Sequence, residues 1–212
     1  MTTTLPAGVI LAGGRSRRMG VASKALAELN GVPLIRHVVE RLQPQVSSLI
    51  VSVDEVNPAF EAMGFIQAVD PRPGQQGPLG GLLAALEVVH EDHEWLLLTP
   101  CDAPFLPTEL GERLHQLAAA SGLPGCMVRY EGELQPTFSL WHRRLLPELR
   151  HAVSDEGLGG FKQFLGRVCL SILDWEAASV PPFFNVNTPQ DLARARSLLA
   201  ALEPGRLARP PD

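Results

Sequence analysis

Short, mostly apolar runs recur along the first half of the chain. They occupy residues 8–12, 49–53, 65–69 and 95–99, and each ends at a glycine, a proline or a polar residue. Runs of this length that are bounded by turn signals are typical of buried strands. We therefore predict four strands in this half of the chain.

The segments between these runs have the spacing of helices. Leu34, Val38 and Leu42 recur at intervals of four, and Pro33 suits the first helical position because its missing N–H is not needed there. Similar patterns predict further helices at 58–64, 79–90, 107–120, 143–152 and 189–202. Strands that alternate with helices predict right-handed βαβ units, and hence an α/β fold with a doubly wound, mostly parallel sheet flanked by helices.

The second half of the chain departs from this alternation. Residues 126–130 and 137–141 flank a polar stretch and predict a short β-hairpin extension, and residues 170–173 predict a last strand. There is no internal repeat or low-complexity linker, so we predict a single domain over residues 1–203. The Pro-rich residues 204–212 have no apolar period and are predicted to be disordered.

Composition limits the partners that the chain can bind. The 212 residues include 18 Lys and Arg against 23 Asp and Glu, giving a formal charge of −5. This charge has the wrong sign for non-specific binding of nucleic acid or an anionic membrane, and no window approaches the roughly 18 consecutive apolar residues of a membrane helix. Three cysteines without a CxxC pair argue against a disulfide framework or zinc ribbon, which favours the cytoplasm.

Ligands of doubly wound sheets bind beyond the carboxyl ends of the strands, where the strand order reverses. The segments to inspect are therefore 13–20, 52–54, 70 onward and 100–102.

The first of these segments has the composition of a phosphate site. The sequence Leu11-Ala-Gly-Gly-Arg-Ser-Arg-Arg-Met-Gly20 follows the first strand, and Lys24 comes four residues later. The two glycines allow consecutive N–H groups to converge on phosphate oxygens, and Arg15, Arg17, Arg18 and Lys24 add positive charge. The spacing is neither GxxxxGK[ST] nor GxGxxG. An ordinary glycine turn with solvated arginines is the alternative interpretation.

Two aspartates follow other strands. Asp102 lies in Thr99-Pro-Cys-Asp-Ala-Pro104, where the flanking prolines restrict the backbone. A rigid carboxylate that faces an anion loop is a typical ligand of Mg²⁺, although an Asx turn or a helix cap would use the same residue. Asp70 follows the third strand and could hold the same ion or orient the other substrate.

Four further features have a structural explanation as well as a functional one. Gly77-Pro-Leu-Gly-Gly81 could place helix N–H groups toward an anion or a base edge, but ordinary turn chemistry is favoured. Thr188 and Asp191 suit a helix N-cap, whereas Asn185 and Asn187, spaced by two, could hydrogen-bond a heterocycle. His90-Glu-Asp-His93 is interpreted as solvated surface, and Cys101 as a small buried filler rather than a nucleophile.

These motifs together resemble the molybdenum cofactor guanylyltransferase family, a branch of the nucleotidyltransferases. The resemblance rests on LAGGRSRRMG with Lys24, TPCDAP and NVNTP, and spans residues 11–189. The first motif alone marks a broader group that includes sugar and cytidylyl enzymes. The resemblance narrows the nucleotide to a guanine nucleotide because Gly13 stands in place of a second alanine and the other two motifs are also present.

The resemblance implies a Mg²⁺-dependent transfer of GMP from GTP to the phosphate of molybdopterin or Mo-molybdopterin, with release of pyrophosphate. Acceptor molybdoenzymes or other cofactor-biosynthesis proteins are the further partners that it implies. A cytidylyl- or sugar-1-phosphate nucleotidyltransferase, which would use the same loop and metal site, is the alternative.

The resemblance also implies roles for individual residues. Lys24, Asp102 and Arg18 are expected to be catalytic, with Asp102 as the Mg²⁺ ligand. Contacts to GTP are implied for Leu11, Ala12, Gly13, Lys24, Ser52, Asp70 and Asp102, and contacts to molybdopterin for Arg18, Asn185 and Asn187. The family usually has Asn where this chain has Ser52, and no role is transferred to residues 155–164.

Overall fold

The computed structural model describes residues 5–13, 23–70 and 77–202. Their strands, in chain order, are β1 (Ala7–Leu11), β2 (Glu28–Leu29), β3 (Val32–Pro33), β4 (Ser48–Val53), β5 (Ile66–Val69), β6 (Trp95–Pro100), β7 (Gly125–Tyr130), β8 (Glu133–His142) and β9 (Ser171–Trp175). Their α-helices are α1 (Leu34–Leu42), α2 (Pro58–Ala62), α3 (Pro78–Val88), α4 (Leu110–Ser121), α5 (Leu146–Arg150), α6 (Phe161–Phe164) and α7 (Pro189–Leu202).

The main sheet has seven strands in the order β5-β4-β1-β6-β8-β7-β9. Strands β1, β4, β5 and β6 pair in parallel, and β9 pairs in parallel with β7, whereas β8 is antiparallel to both of its neighbours. The predicted doubly wound, mostly parallel sheet is therefore confirmed. No helix of the described residues has both the length and the apolar character needed to cross a bilayer.

Helices cover both faces of this sheet. Alternate side chains of the inner strands pack on one side against α1 and α4, for example around Val38 and Leu114. The opposite side packs against α3, α5 and α6, around Leu82 and Phe164. The helices on the two sides of the sheet therefore belong to two separate cores, and α6 among them was not predicted from the sequence.

The predicted hairpin is present, but it is continuous with the main sheet. Its turn is confined to Glu131 and Gly132, which have φ of 50° and 83°, the backbone preferred by two-residue hairpins. Strand β8 begins directly afterwards and pairs with β6 as well as β7, for example through Leu140 opposite Leu97. Burial of Phe138, Leu140 and Trp141 explains why this hairpin joins the core. A separate small sheet, formed by β2 and β3, was not predicted.

The strand order reverses beside β1. Strands β4 and β5 lie on one side of it and β6 lies on the other, so the crevice where such folds bind ligands lies beyond the end of β1. Hydrogen bonds continue past the strands here: Ala12 N donates to Ser52 O at 2.8 Å, and Cys101 N donates to Leu11 O at 3.0 Å. The ends of three neighbouring strands are thus held in a fixed register.

Candidate functional site

Three predicted site residues meet at this edge of the sheet. Lys24 Nζ forms an ion pair with Asp102 Oδ2 and donates a hydrogen bond to Asn187 Oδ1 at 2.5 Å. Lys24 lies on a 3₁₀ turn shortly after the glycine loop, Asp102 follows β6, and Asn187 precedes α7. Side chains from three distant parts of the sequence therefore share one polar cluster.

The Asp102 carboxylate is enclosed. Its side chain is 8% exposed, against 21% for Lys24. Burial raises the pKa of Asp102, and the neighbouring Lys24 ammonium opposes that shift. Because a buried carboxylate is costly without a partner, Lys24 is the group that favours the charged form of Asp102 in this arrangement. The same ammonium is exposed enough to reach a ligand in the crevice.

Cys101 is a buried packing residue, as the sequence predicted. Its side chain is buried, and burial raises the pKa of the thiol, with the Asp102 charge acting in the same direction. A thiol that stays protonated is a poor nucleophile. Cys101 therefore belongs to the core beneath the site and not to its chemistry.

The segment that carries the two asparagines is held by apolar contacts and by one backbone bond. Phe183 is buried among the rings of Tyr130, Phe138 and Trp175. The buried Val186 donates its N–H to Asp102 O at 2.9 Å. These contacts fix the residues on either side of Asn185 and place Asn187 beside Lys24.

A helix cap orders the end of this segment. Asp191 Oδ2 accepts hydrogen bonds from Thr188 N at 2.9 Å and Asn187 N at 3.0 Å, and Thr188 Oγ1 accepts one from Asp191 N at 3.1 Å. This reciprocal pair is a capping box, which confirms the capping interpretation of Thr188 and Asp191. Burial tends to raise the pKa of Asp191, but these hydrogen bonds outweigh it and lower the pKa.

Asp70 and Ser52 lie at the ends of β5 and β4, on the other side of β1. Their side chains are buried against the first turn of α3. A Cβ on Gly80 would overlap the Asp70 carboxylate, and a Cβ on Gly81 would lie 2.6 Å from Ser52 Oγ and 2.7 Å from Leu11 Cδ2. These two glycines are therefore needed for close packing, a role that neither the turn nor the anion interpretation included.

One backbone N–H at the N-terminus of α3 already donates a hydrogen bond within the protein. Leu79 N donates to Gly159 O at 3.0 Å, so the loop before α6 caps the helix that was considered as an anion site. A Cβ on Gly77 would overlap the same carbonyl group. The glycine-rich stretch around residue 159 thus has a structural contact that its sequence did not indicate.

Replacement of Gly80 by Ala is expected to lower the free energy of unfolding by about 1–3 kcal/mol, because either Asp70 or α3 must move. Urea unfolding of the variant measures this change. Gly166→Ala is the matched control, since a Cβ there would be in ordinary contact only, with Gln163 O at 3.5 Å. Equal stability of both variants and the parent chain would show that the packing at Gly80 is not tight.

Asp54 is a neighbour of the glycine loop to which the sequence analysis gave no role. It follows β4, and its carboxylate lies where a Cβ of residue 13 would be, so a larger residue at position 13 would displace this exposed side chain. The register of β1 on β4 pairs Leu11 with Ser52, and two more positions along both chains bring Gly13 beside Asp54. A prediction of this register from the ends of the two apolar runs could have revealed the contact between Gly13 and Asp54.

Of the other predicted features, some lie within the described residues and some do not. Arg15, Arg17 and Arg18 lie outside the described residues. His90 is exposed and His93 half-buried at the opposite, amino-terminal edge of β6. Within residues 5–13, 23–70 and 77–202, no group of three or more His, Cys, Asp or Glu side chains is arranged to hold a metal ion.

Comparison with known proteins identifies the family. The family model described as the MobA-like NTP transferase domain matches residues 8–169. A molybdenum cofactor guanylyltransferase of Rhodopseudomonas palustris (strain BisB5) is 36% identical over 193 residues, which cover 90% of this chain and 92% of that protein. The chain belongs to the molybdenum cofactor guanylyltransferase family. The resemblance inferred from the motifs is thereby confirmed, and this guanylyltransferase homologue is a nucleotidyltransferase.

Solved structures share the fold of this guanylyltransferase homologue. Molybdopterin-guanine dinucleotide biosynthesis protein A from Archaeoglobus fulgidus has a TM-score of 0.77 at 23% identity, over 92% of this chain and 99% of that one. A CMP:2-keto-3-deoxy-manno-octonic acid synthetase has a TM-score of 0.71 at 18% identity, over 93% of this chain and 99% of that one. Because both share the fold, the fold alone does not select the nucleotide.

Proposed function

We propose that this chain transfers GMP from GTP to the terminal phosphate of molybdopterin, forming the guanine dinucleotide cofactor and pyrophosphate. The observation that carries the proposal is the meeting of Lys24, Asp102 and Asn187 at the point where the strand order reverses. A nucleotide bound in that crevice would contact a cation, a carboxylate and an amide together. The name of the Rhodopseudomonas relative supports guanine and the molybdenum cofactor as substrates.

Lys24 is the residue expected to relieve charge on the triphosphate. Its ammonium is partly exposed and adjoins the crevice, so it can exchange Asp102 for a phosphate oxygen. Phosphate attack on the α-phosphorus brings anions together, and a fixed cation favours the more highly charged transition state. The attacking phosphate is already ionised, so the chain does not need to supply a general base.

The loop after β1 would position the nucleotide through its backbone. The Leu11 carbonyl and the Ala12 amide are engaged by Cys101 and Ser52, so the loop starts from a rigid base. A contact between Ala12 and GTP would therefore use its carbonyl or Cβ. The Ser52 hydroxyl and the Asp70 carboxylate lie under α3, and their proposed contacts to GTP would require an approach along that helix.

The cluster fits a divalent cation of the Mg²⁺ type. Such an ion usually takes one or two carboxylates, and substrate phosphates and water complete its shell. Asp102 supplies a carboxylate and Asn187 an amide oxygen, and both oxygens already contact the same ammonium. We propose that Asp102, with Asn187 Oδ1 beside it, holds Mg²⁺. The ion would supply positive charge to phosphate oxygens.

The two asparagines are proposed to contact molybdopterin. Asn187 is exposed beside Lys24, and the buried Asn185 Oδ1 has no hydrogen-bond partner among the described residues. Buried polar atoms are almost always satisfied, so this acceptor suits an N–H donor of a bound heterocycle or an ordered water. The predicted contact of Arg18 lies outside the described residues.

The test is incubation of the chain with each of the four nucleoside triphosphates, Mg²⁺ and molybdopterin. Of the four incubations, we expect only the one with GTP to form pyrophosphate and a dinucleotide with the mass of the guanine product. If CTP or UTP replaces GTP, the chain is a cytidylyl- or sugar-type nucleotidyltransferase. If GTP binds and no pyrophosphate forms, the chain is a non-catalytic GTP-binding protein.

A further inference from the structure

We propose that Asp191 is a positioning residue of the candidate site, which holds Asn187 beside Lys24 as well as capping α7. This inference rests on the proposed function, since it takes Asn187 as a residue that contacts the bound cation or substrate. The starting observation is that one oxygen of the Asp191 carboxylate accepts hydrogen bonds from two consecutive backbone N–H groups, those of Asn187 and Thr188.

The backbone around Asn187 is held from both sides. Val186 N donates to Asp102 O at 2.9 Å, and the next two N–H groups along the chain donate to Asp191 Oδ2 at 3.0 and 2.9 Å. These bonds join the segment that follows β6 to the first turn of α7. Because backbone segments with engaged hydrogen bonds open rarely, the position of Asn187 relative to Asp102 depends on both ends of this connection.

The side chain of Asn187 is oriented as well. Its Nδ2 donates to Asn185 O at 3.4 Å, and its Oδ1 accepts from Lys24 Nζ at 2.5 Å. The amide therefore presents its acceptor atom to the charged cluster. An acceptor whose main chain and side chain are both fixed can bind an ammonium or a metal cation with little reorganisation. Asp191 supplies the main-chain part of this arrangement.

Helix α7 also packs against the segment that carries Lys24. Ala195 lies in a buried apolar cluster with Ala27, which directly follows the 3₁₀ turn of Lys24. The apolar face of α7 thus fixes the helix relative to Lys24, and the Asp191 carboxylate fixes Asn187 relative to the helix. Asp191 accordingly links two site groups that come from distant parts of the sequence.

The capping box can be divided by mutation into a helix half and a site half. Thr188 Oγ1 accepts a hydrogen bond from Asp191 N, within the helix, at 3.1 Å and donates one to Asp191 Oδ2 at 2.9 Å. Removal of this hydroxyl weakens the cap but leaves the N–H groups of Asn187 and Thr188 bonded to Asp191. Removal of the Asp191 carboxylate weakens the cap and also releases Asn187.

Asp191→Ala is expected to lower kcat/KM for GTP about 10-fold in the full-length chain, because Asn187 loses its main-chain support. Pyrophosphate release with GTP, molybdopterin and Mg²⁺ measures this change. Thr188→Ala is the matched control, and we expect it to lower the urea midpoint by a similar amount while kcat/KM stays near the parental value. Asp191→Asn retains an oxygen that can accept both N–H groups, so it should keep most of the parental activity.

A double-mutant cycle with Asn187→Ala separates positioning from stability. If Asp191 acts through Asn187, Asp191→Ala lowers kcat/KM no further in the Asn187→Ala background, whereas its effect on the urea midpoint persists. Hydrogen exchange measured by NMR gives a readout that does not need turnover. The backbone amide of Asn187 should exchange faster in Asp191→Ala than in Thr188→Ala.

Equal losses of kcat/KM in Asp191→Ala and Thr188→Ala would show that Asp191 only caps the helix, and the inference would be wrong. A full effect of Asp191→Ala in the Asn187→Ala background, or an Asp191→Asn variant as impaired as Asp191→Ala, would also overturn it. Failure of the parent chain to release pyrophosphate from GTP would instead overturn the proposed function, whereas the exchange rate of the Asn187 amide still reports the effect of Asp191 on its position. The two failures are therefore distinguishable.

Discussion

Asp102→Asn is expected to lower turnover with GTP at least about 10²-fold while the chain stays folded, because the proposed cation site loses its charged ligand. The amide has nearly the shape of the carboxylate, and its burial does not carry the desolvation cost that raises the pKa of Asp102. Lys24 keeps Asn187 as a partner and has access to solvent. The free energy of unfolding should therefore change by no more than about 1 kcal/mol.

The measurements that check this prediction are kcat with GTP and molybdopterin, the dependence of GTP affinity on Mg²⁺, and the urea midpoint. Asp92→Asn is the control, because Asp92 lies in the exposed loop before β6, at the opposite edge of the sheet from Asp102. We expect that variant to match the parent chain in all three. Parental turnover in Asp102→Asn would remove Asp102 from the proposed role.

The position of the site could be predicted from the sequence because it follows from a rule about parallel strands. Apolar runs that end at Gly13 and before Asp102 identify two strand ends, and parallel strands bring those ends to the same edge. The direct contact of Lys24 with Asp102 and Asn187 could not be derived in this way. It depends on the docking of Phe183 and Val186, residues that lie far along the chain from Lys24.

The packing around α3 was beyond sequence reasoning for a different physical reason. A glycine is compatible with a turn, an anion site or a close approach, and only the positions of the Asp70 and Ser52 side chains select the third at Gly80 and Gly81. The placement of β8 in the main sheet could not be predicted from the sequence for a similar reason. A hairpin can stand alone or join a sheet, and the choice depends on which neighbour buries residues such as Leu140.

The ion pair between Lys24 and Asp102 is asymmetric, and this explains a second large expected effect. Asp102 is almost completely buried, whereas Lys24 is partly exposed. Removal of the carboxylate leaves an ammonium that water can reach. Removal of the ammonium leaves a buried carboxylate without its main counter-charge, a situation that typically costs about 3–5 kcal/mol.

Lys24→Ala is accordingly expected to lower kcat/KM for GTP about 10²-fold and the free energy of unfolding by about 3 kcal/mol at pH 7. Without Lys24, burial raises the pKa of Asp102 further above its ordinary value of 3.8. A raised pKa in the folded state means that folding favours the protonated form, so the stability lost by the variant should be small near pH 4 and grow as the pH rises.

Urea unfolding in EDTA at a series of pH values measures this change, and the double variant Lys24→Ala/Asp102→Asn should recover most of the stability at pH 7. A loss that is independent of pH, or that persists in the double variant, would show that the two side chains are not energetically coupled and that Lys24 stabilises the fold through other contacts.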